Sequence, residues 1–69
     1  MKAGDLRRFR SDIFALGAMH LAGGTFMVLK VIKHREGSRR VDILVDGKVE
    51  ESWGYPWVKE NSEVLNEAA

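Results

Sequence analysis

The chain contains no cysteine, so disulfide staples, thiolate metal sites and a cysteine nucleophile are excluded together. That absence fits a reducing compartment. Proline occurs once, at Pro56, and histidine only at His20 and His34. The two histidines show neither a His-x-His nor a His-x-x-x-His spacing, so no metal-ligand framework exists. No apolar run exceeds four residues, far short of the roughly 20 needed to cross a bilayer. The opening stretch MKAGDLRRFR lacks the apolar centre of a secretory signal. The expectation is a soluble cytoplasmic protein with no membrane partner.

What is present points to one small folded domain over residues 1–69, near the lower limit for a chain that folds alone. A hydrophobic content of 45% argues against disorder. The formal net charge is +1, but it is unevenly spread. Residues 1–40 hold nine Lys/Arg against three acids, and residues 41–69 hold two lysines against seven acids. In a small β structure neighbouring strands come from both halves, so cross-strand charge pairing is the plain expectation.

Gly4-Asp5 is a turn signal ahead of a short strand. Residues 11–24, SDIFALGAMHLAGG, read as a long excursion. Ser11 or Asp12 is placed to cap one helical turn through Leu16, ended by Gly17. Ile13, Phe14, Leu16, Met19 and Leu21 are expected to fold back onto the core. TFMVLKVIK, Thr25 to Lys33, is the best strand, with Met27, Leu29 and Val31 on one face and Phe26, Val28, Lys30 and Ile32 on the other. HREGSRR is a polar turn. In VDILVDGKVEESW, Val41, Ile43 and Val45 alternate, and Asp46-Gly47 suits a type I′ hairpin. The return strand puts Val49, Glu51 and Trp53 on one face, with Trp53 in the core. Gly54-Tyr55-Pro56 stops it, PWVKEN suits one short 3-10 or α turn, and SEVLNE is a last strand with Val64 inward.

The spacing of these elements, with the opening MKAGDLRRF, the hairpin VDILVDGKVEESW and the closing PWVKENSEVLNE, resembles a Src-homology-3-like (SH3-like) small barrel, including the KOW-type versions. Small proteins of this layout are common among bacteriophages, and that resemblance implies the host cytoplasm as location if the gene is viral. It implies a mostly all-β fold of five strands, with a long first loop, carrying at most one helical turn, and a short 3-10 turn before the last strand. The acidic first loop and ALYDY-like motif of peptide-binding members are missing, so proline-rich ligands are not implied. Arg7 stands where many such barrels carry an apolar residue.

Chemistry is sparse. Ser11, Ser38, Ser52 and Ser62 have no nucleophile-elbow context. Glu50 and Glu51 are adjacent on a strand and point to opposite faces, so they form no acid/base pair. Gly23-Gly24 leads into a strand, not the helix a phosphate cradle needs. No catalytic residue, metal or cofactor is assigned, and the chain is not expected to be an enzyme. The leading expectation is a protein-interaction module whose contact surface combines Trp57 and Tyr55 with Phe14, Met19 and Leu21, facing another protein or a second copy. The alternative is nucleic-acid binding through a basic face of Arg7, Arg8, Arg39, Arg40 and Lys33, with Arg10, Lys30, His34 and Arg35 close in sequence.

Overall fold

Val41, Ile43 and Val45 are sealed from solvent and form the stripe on which the rest of the molecule is assembled. In the computed structural model, which describes residues 1–69, they lie on β3, Arg39–Val45. Alternate residues point inward, as the period of two in a strand requires. Asp46 and Gly47, with φ of 51° and 75°, turn the chain into β4, Lys48–Gly54. Positive φ at both positions is the signature of the hairpin turn expected from Asp-Gly.

On its other side β3 pairs with β2, Thr25–Lys33, which pairs with β1, Leu6–Phe9, which pairs with β5, Ser62–Asn66. All pairings are antiparallel, and the order across the sheet is β4-β3-β2-β1-β5. The two outermost strands, β4 and β5, are consecutive in the chain and joined only by the short helix α1, Tyr55–Glu60, and Asn61. α1 contacts β3, β4 and β5, so the sheet curls until one helix reaches both edges. The fold is mostly β: one five-stranded antiparallel sheet, a long first loop and a single short helix before the last strand. Phe9 and Phe26 stack at its centre, ring centroids 4.3 Å apart.

Of the two forms expected for the connection before β5, a 3-10 or an α turn, the chain takes the α form. Asn61 N–H donates to the Trp57 carbonyl, an i to i−4 bond, so the segment closes as α-helix. The 3-10 turn lies instead in the excursion, at Met19–Leu21. No helical turn spans residues 11–16. The Asp12 carboxylate is held by the Arg10 guanidinium at 2.8 and 3.0 Å and caps nothing.

Three β-bulges break the expected alternation, one of them on β5, where Leu65 is extra between the partners of Leu6 and Arg7. Val28 faces Ile43 while Lys30 faces Asp42, which leaves Leu29 as an extra residue of β2. The inward set is therefore Phe26 and Val28, then Val31 opposite Val41. On β4, Glu50 faces Ile43 and Trp53 faces Val41, so Glu51 and Ser52 together oppose Asp42. Ser52 takes φ of 58°, and its N–H donates to Asp42 Oδ1 at 2.9 Å. One inserted residue swaps every later side chain to the other face. Trp53 thus turns inward, whereas Val49 sits outside opposite Leu44. Val64 shares the inward row of Phe26 and Arg7 by register, yet on the edge strand it stays exposed.

Candidate functional site

The expected aromatic patch is not assembled. Tyr55 and Leu21 are core residues, 6% and 1% exposed. Tyr55 opens α1, which turns its ring inward; its hydroxyl accepts from the Met1 amine at 2.6 Å. Trp57 is half-buried. It stacks on Trp53 with centroids 5.5 Å apart and lies 6.1 Å from Phe9. Trp53 Nε1–H donates to Glu50 Oε1 at 3.0 Å, and that oxygen lies 3.5 Å from His20 Nε2. These contacts rack Trp53, Trp57 and the 3-10 turn together. Of the five residues expected at the contact, only Phe14 and Met19 stand out in solvent, at 83% and 58%, beside a fully exposed Leu16. Ile13, Ala18 and Leu21 supply the buried core contact of the excursion, with Ala15 and Ala22 packed beside them.

The basic residues also divide. Arg7 Nε donates to Ser62 Oγ at 2.8 Å, and its Nη2 to the carbonyls of Ser62 at 3.0 Å and Lys59 at 3.3 Å. Its guanidinium is spent on closing the turn from α1 into β5. Arg8 lies 3.6 Å from Glu63 across the β1–β5 pair. Neither reaches Arg39 or Arg40 by strand register, because β1 pairs only with the start of β2.

Arg39, Arg40 and Lys33 do come together, on the β2–β3 hairpin. Lys33 faces Arg39 and Ile32 faces Arg40. The loop is closed by His34 N–H donating to the Ser38 carbonyl at 2.9 Å and Gly37 N–H to the His34 carbonyl at 3.0 Å. Lys30, Lys33, Arg35, Arg39 and Arg40 are all exposed. The molecule's ion pairs are Arg8–Glu63, Arg10–Asp12 and His20–Glu50, so none of these five cations has a carboxylate within 4.0 Å. Cross-strand pairing of charge, expected from the sequence, fails at this hairpin. Against the five stands only Glu36, which leaves +4 over residues 30–40. Its carboxylate accepts from the Ser38 hydroxyl at 2.9 Å, which with its own backbone N–H holds its pKa below the ordinary glutamate value. Asp42, opposite Lys30, is engaged by the Ser52 amide.

Arg39 is fixed by its neighbour: its guanidinium carbon sits 4.0 Å above the centre of the Tyr55 ring. Burial lowers the pKa of the Met1 amine; Asp5 opposes that, while Lys59, Arg7 and Arg39 add to it. Positive charge therefore extends from the hairpin toward the base of α1.

His20 and His34 lie on separate elements, and no three metal-ligating side chains converge. An open groove beside Arg8, Arg10, Asp12 and Glu63 carries charges that already pair with one another. No helix is long and apolar enough to cross a membrane.

One feature of the outer face carries no signal along the chain. Leu6, Met27, Leu44 and Val49 form a row across β1, β2, β3 and β4 on the outer face. Each belongs to a different strand, so only the register reveals it. Comparison with protein-family models, with curated proteins and with solved structures gave no match to this chain.

Proposed function

We propose that the protein is a non-enzymatic binding module that holds a nucleic-acid backbone on its β2–β3 hairpin. The observation that carries this reading is the set of five exposed cations with no carboxylate within 4.0 Å, the nearest strand partner, Asp42 opposite Lys30, being engaged by the Ser52 amide. Like charges gathered on one ribbon repel one another, and phosphates offset that repulsion when they bind.

Each phosphate neutralised releases counterions, so affinity falls with a salt slope of about −0.9 per contact on duplex DNA. Four or five contacts predict a loss of about 10² to 10³ in affinity between roughly 50 and 200 mM salt. Titration of a labelled oligonucleotide against salt reads this directly. Arg39→Ala combined with Arg40→Ala should leave the circular dichroism spectrum intact and weaken binding. Parent-like binding by that double variant would overturn the reading.

A second reading, contact with another protein or a second copy, is favoured by Phe14, Leu16 and Met19, which project from the excursion with most of their surface in water. Trp57 then lies behind the contact as support. A mass in solution that rises with concentration, and stays monomeric in Phe14→Ser with Leu16→Ser, supports a second copy. A monomer at every concentration removes the self-associating form of this reading.

A further inference from the structure

Leu6, Met27, Leu44 and Val49 line up on the outer face, one from each of β1 to β4. Met27 and Val49 are 41% and 56% exposed, and Leu6 and Leu44 are half-buried. Nothing in the chain covers them: the excursion and α1 pack on the inner face, through Ile13, Ala18, Leu21 and Val58 beside Val41 and Ile43. The next outward row toward the hairpin is charged. Asp42 lies between the inward Val41 and Ile43, so it projects on the side of Leu44, and Lys30 is its partner on β2. These two face one another yet form no ion pair within the chain. Asp42 Oδ1 accepts the Ser52 N–H, which leaves its second oxygen for another donor.

A row of apolar side chains beside a row with one cation and one anion is complementary to itself. We infer that the outer face binds a second copy of the chain, sheet on sheet, across a two-fold axis that runs along the strands between β2 and β3. Such an axis lays β2 of one copy over β3 of the other, and β1 over β4. Met27 then meets Leu44, Leu6 meets Val49 and Lys30 meets Asp42, each contact occurring twice, as an isologous interface requires. The strands of the two copies stay nearly in line, which is the aligned class of sheet packing at a spacing of about 10 Å. Charge selects this axis. An axis along the apolar row would also stack that row on itself, but it swings Asp42 over the Asp46 turn of the other copy, because the two lie about 7 Å from Leu44 on opposite sides. Two acids would then meet, and Lys30 would find only Thr25. The contact is separate from the nucleic-acid reading: Lys30 goes to the pair, and Lys33, Arg35, Arg39 and Arg40 remain exposed on the hairpin.

Four apolar side chains per copy make a small centre, which places the pair at the weak end of specific contacts. Sedimentation equilibrium of the full chain from about 5 to 500 μM should therefore show the mass rising from one copy to two and no further. Met27→Gln with Val49→Thr, both at exposed positions, should keep the circular dichroism spectrum and weaken the pair about tenfold or more. Lys30→Glu sets carboxylate against carboxylate and Asp42→Lys sets ammonium against ammonium, so each should weaken it to a similar degree. An equimolar mixture of these two variants restores both ion pairs and should associate about tenfold more tightly than either alone. Asp42→Lys also removes the acceptor of the Ser52 N–H; if it does not fold, Asp42→Asn retains that bond and should still weaken the pair severalfold. A parent that stays monomeric throughout, grows past two copies, or associates unchanged with Met27→Gln and Val49→Thr overturns the inference. So does a pair broken by Phe14→Ser with Leu16→Ser, which moves the contact to the excursion. Salt-dependent binding of nucleic acid survives each of these outcomes.

Discussion

The Asp5 carboxylate accepts the backbone N–H of Ala68 at 2.8 Å, joining residues 63 positions apart. Its second oxygen accepts the Lys2 N–H at 2.9 Å. One buried side chain thus ties the segments before β1 and after β5 to the same point. The Ala68 bond, then the Lys2 bond, hold its pKa below the ordinary aspartate value, and burial opposes them only in part. A carboxyl with a depressed folded pKa contributes fully above its unfolded value of about 4, and that contribution drains away as pH falls through the folded value. Asp5→Asn presents an amide that answers only one of the two N–H donors. The urea midpoint of this variant should be lower at neutral pH. Its further fall on acidification below about pH 4 should be shallower than the parent's. An unchanged neutral midpoint would show that the clasp contributes nothing.

Ser52 holds the β4 bulge in a left-handed conformation. Glycine adopts that conformation without strain, so Ser52→Gly should leave stability unchanged or raise it by up to about 1 kcal/mol. A β-branched residue is an outlier there, and Ser52→Val should cost about 1–3 kcal/mol. Thermal unfolding of the two variants separates a real bulge from regular pairing, for which valine would be the better residue.

Those bulges mark where the sequence stopped being legible. The hairpin at Asp46-Gly47 and the inward trio Val41, Ile43 and Val45 follow from local chemistry, and both are in place. The inward turn of Trp53 depends on one extra residue of β4 that no period announces. A turn that starts at Pro56 leaves Tyr55 outside it, at the surface; the helix starts one residue earlier, at Tyr55, and turns its ring into the core. Cross-strand neutralisation was a fair expectation for balanced composition. It fails because Glu63 lies on β5, across β1 from the hairpin, and Asp42, opposite Lys30, is engaged by the Ser52 amide.

Phe26 and Leu16 are both large and apolar, yet they should behave oppositely. Phe26 is 1% exposed and stacked on Phe9, so Phe26→Ala should cost about 3–5 kcal/mol. That is a third or more of the stability of a domain this small, roughly 3–10 kcal/mol. Leu16 is wholly in solvent, and Leu16→Ser should change stability by no more than about 0.5 kcal/mol. Chemical denaturation of both variants measures the contrast. A large loss at Leu16 would mean that the excursion packs more tightly than its exposure indicates.

Arg7 separates structural from binding arginines. Its guanidinium answers two carbonyls and the Ser62 hydroxyl at the junction of α1 and β5. Partly exposed hydrogen bonds from a charged donor support an expected loss of about 1–2 kcal/mol for Arg7→Ala. Its Nε and Nη2 are already engaged on β5 and α1, away from the hairpin, so the salt slope for nucleic acid should stay near the parent value while the unfolding midpoint drops. Arg39→Ala should do the reverse: the slope falls by about 1, and stability declines only by the loss of its contact with Tyr55, about 0.5–1 kcal/mol. Two arginines that look alike in the sequence are thus told apart by measuring both quantities on both variants. If Arg7→Ala lowered the slope and spared the midpoint, the cationic surface would have to be redrawn around β1 instead of the hairpin.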